Sequence, residues 1–114
     1  MNPDDLKQRL YDLLEDYDKV IPMWAEAKAQ FEKMKALKEV TLAVIASSYP
    51  EGDSEASRSR KALKSSKYAL YGESMKDIAQ EYYNLDARKE GIAKRIDVFR
   101  SLLSFEKSMV EKLT

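Results

Sequence analysis

Cysteine and histidine are both absent from this chain of 114 residues, and glycine and proline number only three each. Without Cys there is no disulfide and no thiolate nucleophile. Without His there is no imidazole base, no axial haem ligand and no zinc site of the usual nitrogen and sulfur donors. So little Gly and Pro leaves scant turn chemistry for a many-stranded sheet. An excess of charge of one sign is missing too, with 20 Lys and Arg against 20 Asp and Glu. No global field then draws the chain to nucleic acid or to an anionic membrane, and any such affinity has to be local. The longest stretch without a charge, Val40 to Pro50, is far short of the roughly 20 residues a membrane span needs. The start Met-Asn-Pro-Asp-Asp-Leu lacks a basic segment followed by an apolar one, which predicts an intracellular, soluble chain. No Gly-x-Ser-x-Gly elbow, phosphate loop or dinucleotide fingerprint occurs. The expectation is a protein that is not an enzyme and takes no cofactor.

What the chain does have is helical period. Asn2 suits an N-cap, Pro3 the first helical position, and Asp4 and Asp5 the positive end of the helix dipole. Apolar or near-apolar residues then recur at Leu6, Leu10, Leu13, Tyr17, Val20, Trp24, Ala27, Phe31 and Met34 in alternating steps of four and three. This is a coiled-coil seam kept over about four heptads. After Met34 the phase slips; Leu37, Thr41, Val44 and Ser48 resume it after an extra step of three, a stammer. Pro22 falls inside this run and predicts a kink near Asp18 to Pro22, because the seam keeps its phase on both sides. The stretch Tyr49-Pro50-Glu51-Gly52-Asp53-Ser54 is strong turn punctuation, and Ser54 could cap a short helix ending near Ser66.

A second seam runs through Tyr68, Tyr71, Met75, Ile78, Tyr82, Leu85, Lys89, Ile92, Ile96, Phe99, Leu103, Glu106, Val110 and Leu113, with only Lys89 and Glu106 out of character. The predicted fold is all-α, a single domain over residues 1–114. It is a long antiparallel two-helix coiled-coil hairpin, with helices over about 3–48 and 66–113 and a short helical or irregular connection over about 49–65. In the simplest register Leu13 lies near Leu103, Tyr17 near Phe99, Trp24 near Ile92, Phe31 near Leu85 and Met34 near Tyr82. Trp24 would sit beside Gly91, a large ring facing a missing side chain; alternatively Gly91 is merely tolerated in the helix.

One buried stripe per helix is little to offset the ordering of so many residues, at roughly 1–2 kcal/mol each. A second stripe of Val98, Leu102, Phe105 and Met109, with Leu14 and Ile21 flanking the first seam, predicts a homo-oligomer. A dimer forming a four-helix bundle is the simplest such assembly.

Three clusters are candidate sites. Arg58, Arg60, Lys61, Lys64 and Lys67 stand together with Glu55 as their only acid, and Tyr68 and Tyr71 follow. Cations beside aromatics can hold phosphates while bases stack, as in single-stranded DNA binding; the same residues also suit a solvated loop. The acidic start, Asp4, Asp5, Asp12, Glu15, Asp16 and Asp18, would face Arg88, Lys94, Arg95 and Arg100 and predicts interhelical ion pairs. A carboxylate metal centre is not expected without His.

The stretch Ala62-Leu63-Lys64-Ser65-Ser66-Lys67-Tyr68, the polar helix with Tyr83 and Ala87, and the end Arg95-Ile96-Asp97-Val98-Phe99-Arg100-Ser101 resemble small helical proteins of tailed bacteriophages and prophages. The likeness covers about the second half of the chain and leaves out the acidic first helix. Such proteins accompany recombination and single-strand annealing functions. The resemblance implies an accessory role in phage DNA metabolism, in the host cytoplasm, with single-stranded DNA or a phage protein as partner. The competing expectation is a virion or assembly scaffold that binds proteins only.

Overall fold

A computed structural model describes residues 2–50 and 54–113. All of the regular structure among them is helical: α1 (Pro3–Ala36), α2 (Lys38–Ser47), α3 (Glu55–Leu63) and α4 (Ser66–Leu113). Half of the Tyr49-to-Ser54 turn, residues 51–53, lies outside the described residues.

The helix starts are set by short polar side chains. Asn2 Oδ1 accepts the Asp5 amide at 2.9 Å, with Asp4 and Asp5 in the first turn of α1, so an otherwise orphaned N–H is satisfied and the dipole is complemented. Ser54 does the same for α3, its Oγ accepting the Ser57 amide at 3.1 Å. Pro22 is carried inside α1 without ending it.

The interruption comes instead at Leu37. Its amide still bonds to the Lys33 carbonyl and its own carbonyl to the Thr41 amide, but α1 stops before it and α2 begins after it. The Met34 carbonyl, whose partner in an unbroken helix would be the Lys38 amide, accepts from the Tyr71 hydroxyl. A side chain inserted into the hydrogen-bond ladder is one of the few causes of a sharp break. The stammer expected after Met34 thus coincides with the interruption between α1 and α2. The expected face of Leu37, Thr41, Val44 and Ser48 does not turn inward as a set: Val44 is 64% exposed while Ile45 is 7% exposed. α2 packs on α3, with Ile45 and Ala62 buried and the Tyr49 hydroxyl donating to the Lys61 carbonyl at 3.3 Å.

Contacts divide the chain into two units, Met1–Ala25 with Asn84–Thr114, and Glu26–Tyr83. In the first, α1 and α4 segments lie side by side and antiparallel. Leu6 and Val20 are buried from α1, and Leu85, Ile92 and Ile96 from α4. All belong to the two seams read from the sequence. The register is shifted by about one helical turn from the expected one: Leu13 shares a groove with Phe99, and Trp24 reaches Asp86 and Lys89. The indole N–H needs an acceptor when half-buried, and Asp86 supplies one at 2.9 Å where Ile92 could not. The Lys89 ammonium lies 4.1 Å from the Trp24 ring centroid, a cation–π distance. Gly91 is not a socket for Trp24, since a Cβ there would meet nothing within 4 Å.

In the second unit α1 and α4 segments are again antiparallel. Phe31 contacts Tyr82 at 5.0 Å and Tyr83 at 5.5 Å between ring centroids, and the Met34 carbonyl accepts from the Tyr71 hydroxyl.

Candidate nucleic-acid interface

Of the five predicted cations, Arg58, Arg60 and Lys61 lie on α3, Lys64 is its C-cap, and Lys67 lies in the first turn of α4. Ala62 is fully buried on α3, which fixes that face inward and leaves Arg60, Lys61 and Lys64 exposed; Lys67 is exposed at the start of α4. Ser65 closes the junction, its hydroxyl donating to the Ala62 carbonyl at 2.8 Å and accepting the Tyr68 amide at 3.1 Å. Two short caps thus hold a strongly basic segment in a fixed backbone.

Arg58, Arg60, Lys64 and Lys67 make no ion pair among the described residues. Arg58 is half-buried, and its Nε is enclosed with no hydrogen-bond partner, a donor that costs free energy until something accepts from it. Arg60 and Lys61 at the end of α3 are favourable to that helix's dipole. Lys67 is not: α4 has no acid in its first turn, so a cation stands at the positive end of a long helix. Lys61 leans on an aromatic ring, its Nζ 5.8 Å from the Tyr49 centroid.

Sequence reasoning missed Lys35 and Lys38. They line a groove with Tyr68, Tyr71, Gly72 and Met75, and the Leu37 break lies between them in the chain. The stammer was the available signal, but its outcome depends on Tyr71, far away in sequence.

The predicted oligomer residues separate into two groups. Val98, Leu102, Phe105 and Met109 are 56%, 43%, 60% and 41% exposed, an apolar row along α4. Leu14 and Ile21 are half-buried and present less surface.

The acidic start of α1 does not pair with Arg88, Lys94, Arg95 or Arg100 among the described residues; Glu15 pairs instead with Lys19, one turn along its own helix, at 3.2 Å. Exposed interhelical pairs gain little over hydration. Among the described residues no group of three acidic side chains is placed to hold a metal ion, and no helix is long and apolar enough to cross a membrane. Lys89 donates a hydrogen bond to Glu90, and that bond raises its pKa above the ordinary value of 10.5; burial opposes, and charge on Glu90, Tyr17 and Asp86 adds to the rise.

No protein-family model matches the chain, and no curated protein or solved structure matches it.

Proposed function

We propose that the chain is a non-enzymatic helical interaction module, an antiparallel hairpin that holds single-stranded nucleic acid on the basic surface of α3 and the start of α4. The reading rests on one observation, the row Arg58, Arg60, Lys64 and Lys67, which has no carboxylate partner among the described residues. Cations with no carboxylate partner among the described residues gain from phosphates, because each contact releases condensed counterions. The resemblance of residues 62–101 to phage helical proteins supports an accessory role in phage DNA metabolism.

The test is salt-dependent binding of a single-stranded oligonucleotide. For about four phosphate contacts the logarithm of affinity falls with the logarithm of salt with a slope near −3, at roughly 0.7 per contact on single strands. Changing Arg58, Arg60, Lys61 and Lys64 together to Glu abolishes the shift. If the unaltered protein does not shift the oligonucleotide even at low salt, the nucleic-acid reading is lost.

The apolar row on α4 favours a second reading, a scaffold that binds protein only, with another copy of this chain as the occupant. Val98, Leu102, Phe105 and Met109 follow heptad steps of four, three and four, and Ser101 and Ser108 flank them without charge, as a self-associating seam requires.

A further inference from the structure

We infer that the groove between Lys35 and Lys38 on one side and Tyr68, Tyr71 and Gly72 on the other is a base-stacking subsite for single-stranded nucleic acid. This rests on the nucleic-acid reading above and gives it a second, chemically distinct element. The groove has a volume of about 400 Å³, within the roughly 300–1,000 Å³ of sites that hold small organic groups.

Its aromatic wall is held in place before any ligand arrives. The Tyr68 and Tyr71 rings stack on one another with centroids 5.8 Å apart and planes 19° from parallel. The Tyr71 hydroxyl is tied to the Met34 carbonyl, and the Tyr68 amide is held by Ser65 Oγ at 3.1 Å. Rings already fixed lose little freedom when a planar group stacks on them. Gly72 keeps the space beside them open, since a Cβ there would meet nothing within 4 Å.

The opposite wall is cationic. Lys35 and Lys38 are not ion-paired among the described residues; the Lys35 ammonium rests 5.2 Å from the Phe31 ring centroid. No carboxylate among the described residues lines the groove. Two cations and a fixed aromatic face, with no acid between them, match the phosphate and base of one nucleotide unit. Along the chain Lys64 and Lys67 lead directly into Tyr68, so the basic surface and the groove share the start of α4. Stacking on such rings is tolerant of base identity.

The experiment compares the full chain binding oligothymidylate with its binding of an abasic strand of equal length and equal phosphate count, across a salt series. Gly72→Leu fills the groove without touching a charge, and Leu is the better helix former at that position, so far-ultraviolet circular dichroism is retained. Tyr68→Leu and Tyr68→Phe form a second pair, the Phe variant keeping the ring. The unaltered protein prefers the strand that has bases by about tenfold, in line with stacking on one site. Gly72→Leu and Tyr68→Leu remove that preference with the salt slope unchanged, and Tyr68→Phe keeps it. Equal binding of the two strands at an unchanged salt slope overturns the subsite and leaves the basic surface standing; failure of either strand to bind at low salt removes both. A preference that survives in Gly72→Leu, or a polyglutamate that competes as well as oligothymidylate, also overturns it.

Discussion

The Tyr71 hydroxyl donates its hydrogen bond to the Met34 main-chain carbonyl, and that single bond closes the gap left in the helix ladder at Leu37. Removing the hydroxyl in Tyr71→Phe leaves a part-buried carbonyl without its donor, which costs about 1–2 kcal/mol. Urea unfolding followed by circular dichroism shows a lower midpoint at unchanged slope. A midpoint equal to that of the parent chain refutes a stabilising role for this bond.

Gly91 gives the opposite sign. It lies inside α4, and an added Cβ would touch nothing within 4 Å. Gly91→Ala therefore stabilises by about 1 kcal/mol through helix propensity alone. Thermal melts show a rise of several degrees; a fall would restore the discarded idea that Trp24 needs the empty space.

Lys89 makes the environment of Trp24, the only tryptophan, depend on pH. Its raised pKa, caused first by the Glu90 hydrogen bond, means that the folded state holds the proton more tightly than the unfolded state. The stabilisation is complete below the ordinary value of 10.5 and is lost as pH rises through the higher folded value. Trp24 fluorescence, compared between the parent and Lys89→Met to subtract tyrosine ionisation, changes with a midpoint above that ordinary value. A midpoint below it contradicts the assignment.

The apolar row on α4 predicts self-association. Changing Leu102 and Phe105 together to Asp puts two charges into that seam at exposed positions, so the isolated chain keeps its helicity while the assembly is lost. Sedimentation equilibrium at tens of micromolar gives a dimer for the parent and a monomer for the variant. A parent that is already monomeric ends the proposal.

Periodicity made the helices legible because it is local: every α1 seam residue from Leu6 to Met34 is buried or half-buried, and Asn2 and Ser54 cap helices as short polar residues do. Register was not legible at that level. Trp24 could be assigned to the seam by spacing, but its indole N–H selects Asp86, a choice made by hydrogen bonding that apolar matching ignores. The buried face of α2 differs from the expected one for a related reason, since α2 packs on α3 through Ile45 and Ala62, a partner that spacing within α2 does not reveal. The cations of α3 were visible as a cluster in sequence; Lys35 and Lys38 joined the site only through the break between them.

The break at Leu37 also partitions the chain's tolerance to changes in length. Within α1 a single inserted residue rotates every later seam position by about 100° and misaligns the buried stripe. At Leu37 the ladder already lacks the bond between the Met34 carbonyl and the Lys38 amide, the carbonyl being held by Tyr71 instead, so an extra residue costs less at this joint than inside α1.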